Sequence, residues 1–282
     1  MKRNVVRRRL IEPKSNADSE PDPRDGGVQS VDRALQIIET LAEDDEGYRL
    51  SDLAVRTGLS TSTAHRLLTT LEKRRFVQFD RTESKWHVGA QSFAVGATFT
   101  RRRNFVAQAT PYLRKLRDIT RETANLAVVD DESIIVLTRI ESREIMRSLT
   151  KVGGRVAMVA SGVGKAVLAT YADEDVNAII RRQGMPRLTE KSIVRASDLF
   201  RELETIRRQG FAVDDEEARI GLRCVAAVVF NDCSEPLAAI SVSGMTSRVT
   251  AERVPEIGRA VSEVAAELTT AIKGVMPAAS KA

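Results

Sequence analysis

Cysteine, histidine and aromatic residues are scarce in this chain: two Cys, two His, and Phe, Trp and Tyr at only 4% of 282 residues. Cys224 and Cys233 are too few and too oddly spaced for a disulfide framework or a CxxC metal knuckle, so both are expected as reduced thiols. His65 and His87 both lie early in the chain, which leaves Cys224 without a histidine base and removes His-based zinc or iron sites. No catalytic residue, metal or cofactor is expected. No run approaches the roughly eighteen apolar residues of a membrane span. The start MKRNVVRRRL lacks the apolar block of a signal peptide, so the expected residence is the cytoplasm, with no membrane partner. One apparent phosphate loop also fails. In SGVGKA, Val159 stands where its first glycine should be and Ala166 where its hydroxyl should be.

What the chain does have is length for two domains, 42% hydrophobic residues to fill their cores, and a net charge of +5. Residues 1–27 carry Arg7, Arg8 and Arg9 and then a Pro, Asp, Ser and Gly-rich stretch, which reads as a solvated basic tail. From Val28, the residues Val31, Ala34, Leu35, Ile37, Ile38 and Leu41 recur at helical steps and predict a buried stripe on a helix ending near Ala42. A second short helix is expected from Leu50 to Thr57 with Ser51 as its cap, and Gly58 offers a left-handed turn. Ser60 then caps a third helix reaching about Lys73. The runs FVQFD and KWHVG flank RTES and predict a hairpin with Val77, Phe79, Trp86 and Val88 as its larger apolar members. Three helices and a hairpin make a winged helix-turn-helix over residues 28–89, and residues 90–103 read as a linker helix.

The third helix commits Ala64, Leu67, Leu68 and Leu71 to the core, which forces its other face outward. That face is expected to carry Ser62, Arg66, Thr69 and Lys73 in one line, with Thr61, Thr63 and His65 beside them. Short hydroxyls at the helix start, with Ser60 as cap, suit entry into a major groove, where backbone amides meet phosphate. Arg66 is the candidate reader of a base edge, because a guanidinium bonds two guanine acceptors at once. Lys73, Arg74 and Arg75 are candidates for the phosphate backbone. From Ser51 to Arg103 there are ten Lys or Arg against four acids, an excess larger than the whole chain's +5. The positive field is therefore concentrated here, and double-stranded DNA is the expected partner.

Beyond residue 104 the texture changes. The β-branched runs ANLAVVD, SIIVLTRI, CVAAVVF and LAAISVS alternate with helical stretches near 106–121, 162–171, 173–183, 197–209 and 251–273. VVDDESIIV and VVFNDCSEPLAAI look like antiparallel connections, so an α+β domain with a mostly antiparallel sheet is expected over 104–275, followed by a flexible tail at 276–282. The acidic run VDDEEA at 213–218 reads as a solvated turn, Asp214 excepted.

Taken together, QSVDRALQIIETLA, LSDLAVRTGLSTSTAHRLLTTLEKRRFV, VGGRVAMVASGVGKAVLA, RRQGFAVDDEEARIGLRCVAAVVF and PLAAISVSG resemble the IclR family of bacterial transcriptional regulators over residues 28–275. The resemblance implies an operator-binding winged helix, a GAF-like effector domain, and homodimers that pair into homotetramers. It also implies an effector site at Gly162, Val163, Asp214, Cys224, Ser241 and Ser243, with Ile145, Met146 and Leu222 as apolar walls. Helix-start amides suit a carboxylate, and serines at i and i+2 share one strand face. Regulators with this Asp, Cys and paired-Ser set are similar to those that sense glyoxylate or pyruvate. A short 2-oxo acid is the expected effector, with an aromatic or sugar acid as the alternative. Trp86 replaces a wing tyrosine, and Val159 a residue that is often histidine. A small-molecule enzyme with a C-terminal catalytic domain is the rival class, and it finds no base near Cys224.

Overall fold

A computed structural model describes residues 27–103, 105–130, 133–142 and 151–277; the arginine cluster of the tail, Ile145 and Met146 lie outside them. The chain divides into two compact units between Gly96 and Ala97.

The first unit contains α1 (Gln29–Ala42), α2 (Leu50–Arg56), α3 (Thr61–Lys73), β1 (Val77–Asp80) and β2 (Lys85–Val88), and α4 (Ala90–Arg103) runs across the division. Its core is Ile37, Leu41, Leu53, Leu68, Val77 and Trp86. Ala54, 5% exposed, keeps a small side chain between the packed helices. Gly58 turns the chain between α2 and α3 with φ of +65°, a conformation that costs glycine nothing. The hairpin pairs Val77 with Val88 and Phe79 with Trp86, whose ring centroids lie 4.9 Å apart. Tyr48 bridges to Trp86 on the other side.

Two local expectations are corrected here. The stripe on α1 starts late: Val31 and Leu35 are 54% and 53% exposed, because only the second half of the helix, at Ile37, Thr40 and Leu41, is buried. Ser51 does not cap α2. The helix begins one residue earlier, behind Arg49, and the Ser51 hydroxyl instead donates to the Asp52 carboxylate at 3.2 Å.

The second unit is built on α5 (Phe105–Thr120), β3 (Thr123–Asp130), β4 (Ser133–Ile140), β5 (Arg155–Ala157), α6 (Gly162–Leu168), α7 (Asp173–Gln183), α8 (Ala196–Gln209), β6 (Ala212–Asp215), β7 (Leu222–Phe230), β8 (Pro236–Met245) and α9 (Val254–Ala271). Among the described residues the strands form one antiparallel sheet in the order β5-β4-β3-β8-β7-β6. The short edge strands β5 and β6 were not anticipated from the sequence, and α9 starts three residues later than its pattern implied, with Pro255 in its first turn.

Both faces of this sheet are covered, and the period-two alternation of strands decides what each face meets. Ala124, Leu126 and Val128 of β3, Val225, Ala227 and Val229 of β7, and Ile240 and Val242 of β8 pack with α5 and α9. The alternate residues, Ala127, Ala226, Val228 and Ala239, pack with α6, α7 and α8. By the same parity Asn125, Cys224, Ser241 and Ser243 face the α6 side. No helix among the described residues is long and apolar enough to cross a membrane.

Candidate functional site

The surface of α3 and the interior of the second unit are the two places where chemistry-bearing residues gather. On α3, Ala64 and Leu68 are buried and Leu67 and Leu71 half-buried, as the periodicity requires. Ser60 caps the helix: its Oγ accepts from the Thr63 amide at 3.2 Å, a contact of a kind worth about 1 kcal/mol. The other first-turn amides have no carbonyl one turn back and point off the helix end.

Ser60, Thr61, Ser62, His65, Arg66, Lys73, Arg74 and Arg75 are all exposed. Thr63 and Thr69 depart from the expected outward line. Both are half-buried; Thr63 Oγ1 accepts from Ser60 Oγ at 2.9 Å, and Thr69 Oγ1 donates to the His65 carbonyl at 2.8 Å. Their hydroxyls thus serve the helix frame. Arg75 ends the helix with φ of +62°, where its amide donates to Glu72 and that of Phe76 to Leu71. A left-handed residue of this kind is usually glycine, because a side chain there costs about 1–2 kcal/mol.

Inside the second unit, Gly162, Val163, Asp214, Leu222, Cys224, Ser241 and Ser243 all line one cavity of about 90 Å³, with Asn125, Ser161 and a wall of Ala127, Val136, Val156 and Ala218. Residues widely separated in sequence meet there because of strand register: Cys224 pairs with both Asp214 and Ser243, and Ser241 pairs with Asn125. The start of α6 closes the site. A Cβ on Gly162 would sit 3.2 Å from the Cys224 carbonyl and 3.3 Å from its Sγ, and one on Gly164 would sit 2.2 Å from the Met158 carbonyl oxygen. Glycine at both positions is what lets the helix approach so closely. Ser161 caps it, accepting from the Gly164 amide at 3.1 Å, which leaves the earlier amides of Gly162 and Val163 at the helix mouth.

Charge in and behind the cavity is concentrated on one loop. Asp214 Oδ1 accepts from the amides of Glu217 at 2.8 Å and Ala218 at 3.3 Å, yet burial still pushes its pKa up. The acidic run expected as a solvated turn is instead ion-paired throughout. Asp215 pairs with Arg223, Glu216 with Lys191, and Glu217 with Lys165. Lys165 is fully buried and also reaches Glu202 at 3.2 Å. Taking Lys165 and Glu217 out of water costs several kcal/mol per ion, which their mutual contact offsets. Burial pushes the Glu217 carboxyl pKa up, and its Oε2 has no partner among the described residues. Burial, reinforced by Asp214, also pushes the Cys224 thiol up to about 11. At that value it is a neutral wall of the cavity and not a nucleophile.

Sequence reasoning missed Asn125, Ser161, Lys165 and Glu217. Asn125 did leave a signal, as a polar residue inside the apolar run ANLAVV.

The chain matches the family model described as IclR helix-turn-helix domain over residues 30–81, and the one described as Bacterial transcriptional regulator IclR C-terminal over residues 97–270. It is 40% identical over 254 residues to the acetate operon repressor of Salmonella typhimurium, an alignment covering 89% of this chain and 93% of that protein. It is also 40% identical over 255 residues to the transcriptional repressor IclR of Escherichia coli, covering 90% and 93%. An IclR transcriptional regulator from Alicyclobacillus acidocaldarius has a similar structure, with a TM-score of 0.76 at 26% identity, covering 87% of this chain and 99% of that one.

Proposed function

We propose that this chain, which belongs to the IclR family of bacterial transcriptional regulators, represses an operon for the use of a small carbon acid and answers to a short 2-oxo acid, glyoxylate first among them. The family is one of DNA-binding regulators and not of enzymes. In this reading α3 enters the major groove, Arg66 reads a base edge with Thr61, Ser62 and His65 beside it, and Lys73, Arg74 and Arg75 hold phosphate. The winged helix spans 28–89, a linker helix 90–103 and the effector domain 104–275. The protein acts in the cytoplasm as homodimers pairing into homotetramers, and the effector changes how the recognition helices are spaced by binding one arrangement better than another.

The observation that carries the effector reading is the size and polarity of the single cavity where Gly162, Val163, Asp214, Cys224, Ser241 and Ser243 meet. Its 90 Å³ is well under the ~150 Å³ cavity that holds a benzene ring. That favours an acid of few heavy atoms over an aromatic one. Amides and hydroxyls suit the carboxylate, and Asp214 suits a hydroxyl of the hydrated carbonyl.

Calorimetry with glyoxylate, pyruvate and benzoate tests this reading, followed by footprinting of candidate promoters with and without the ligand that binds. Glyoxylate should bind and benzoate should not, and Ser241→Ala with Ser243→Ala should abolish the signal. Tighter binding of benzoate would overturn the effector, and the lack of any protected promoter site at low ionic strength would overturn the regulator.

A further inference from the structure

Asn125 stands on β3 directly across the ladder from Ser241. Its Nδ2 donates to Ser241 Oγ at 3.3 Å and to Ser243 Oγ at 3.2 Å. A serine hydroxyl has one proton and two lone pairs. Once a lone pair of each is occupied by the amide, each serine proton is directed away from Asn125. The group next to them is the Cys224 thiol, on the strand position paired with Ser243. Sulfur is a weak acceptor, and an anionic oxygen entering the cavity takes these protons in preference to it.

The sheet order makes the consequence directional. Asn125 and both serines sit on the adjacent strands β3 and β8, Cys224 on β7, and Asp214 on the far strand β6. Donors therefore occupy one side of the cavity and a carboxylate acceptor the other, with a neutral thiol between. Were Asn125 an acceptor, the two serines would turn their protons toward it. The cavity would then present oxygen lone pairs from β8 as well as from Asp214, a surface that repels an anion.

We infer that Asn125 is the positioning residue that sets this polarity: by donating to both serine oxygens it turns both hydroxyl protons toward the ligand and makes the cavity choose a carboxylate over its neutral counterpart. The inference deepens the effector reading and rests on it only for the identity of the acid. Any small carboxylate would feel the same two protons.

The test uses the full-length protein, with glyoxylate, formate and the neutral isostere formamide as probes, read by calorimetry and thermal shift. The wild type should prefer formate to formamide. In Asn125→Ala the serine rotors are released, and affinity for glyoxylate and formate should fall about tenfold while formamide is barely affected. In Asn125→Asp at neutral pH the serines donate to the new carboxylate, and anion affinity should fall by about a hundredfold or more. It should recover in part as the pH is lowered toward about 4, where that carboxyl takes up a proton and can donate to one serine again; the wild type measured over the same range supplies the baseline. Should the Asp variant fail to fold, the change in the formate-to-formamide ratio in Asn125→Ala decides alone. An unchanged ratio means that Asn125 only fills space and overturns the inference. Formate binding that depends on Asn125, without any binding of glyoxylate or pyruvate, would uphold the inference and sink the 2-oxo acid. Failure of the wild type to bind any of these anions would sink both.

Discussion

The two units keep their polar and charged groups in opposite places. The winged helix wears Arg66, Lys73, Arg74 and Arg75 on the outside of a helix whose inner face alone holds the core. The second unit hides Asp214, Ser241, Lys165 and Glu217 inside, on the face of a sheet that is also a core layer. On the first unit one of these exposed side chains can be removed without touching the packing. In the second almost any change to function is also a change to stability.

The sharpest way to break this contrast is Lys165→Met. It leaves Glu217 and Glu202 without their cation and should cost the second unit about 3–5 kcal/mol. Trp86, the sole tryptophan, reports the first unit alone, so its fluorescence transition in urea should hold while the circular dichroism transition falls to lower denaturant. Adding Glu217→Leu should restore most of the loss, because a buried ion pair exchanged for apolar groups is often neutral. If both probes moved together, the units would not be independent and the comparison would fail.

Arg66→Ala is the counterpart on the exposed side. Operator affinity should drop by about 1–3 kcal/mol, with thermal stability unchanged within about 0.5 kcal/mol. A variant that lost stability instead would place Arg66 in the fold and not on the DNA.

Arg75→Gly tests the smallest effect and the most telling sign. Relief of the left-handed backbone, partly cancelled by the greater freedom of glycine in the unfolded chain, should stabilise the winged helix by about 0.5 kcal/mol. Binding to operator DNA should weaken, and its dependence on log salt should become shallower by about one unit. A gain in stability with no change in the salt slope would leave the arginine without its assigned role.

The same contrast explains what could be read from the sequence. The recognition helix is written in consecutive residues: a serine cap, leucines at helical spacing, a glycine turn and a basic end all fall within one short stretch, so periodicity alone exposed it. Misreadings there were small, such as Thr63 and Thr69, whose hydroxyls turned to their own helix. The cavity is written across six strands and a helix start. No local pattern joins Asn125 to Ser243; register does, and register is fixed by long-range packing. Of the residues carried by family resemblance, Gly162, Val163, Asp214, Leu222, Cys224, Ser241 and Ser243 line the cavity and Ile145 and Met146 fall outside the described residues, whereas those needing tertiary context did not appear. Lys165 read as a failed phosphate loop because its partner Glu217 stands 52 residues away. The acidic run looked solvated because Lys165, Lys191 and Arg223 reach it from elsewhere. Strands β5 and β6, three and four residues long, are too short to show an alternation.

Asn125 and the serine it steadies on β8, Ser243, are separated by 118 residues of chain, and the central pairing of β3 with β8 joins an early strand to a late one. A ribosome makes the winged helix first and domains generally fold in that order, whereas the cavity of the second unit has no floor until β8 has emerged. Each new molecule therefore carries a finished winged helix before the cavity proposed to hold its effector is complete.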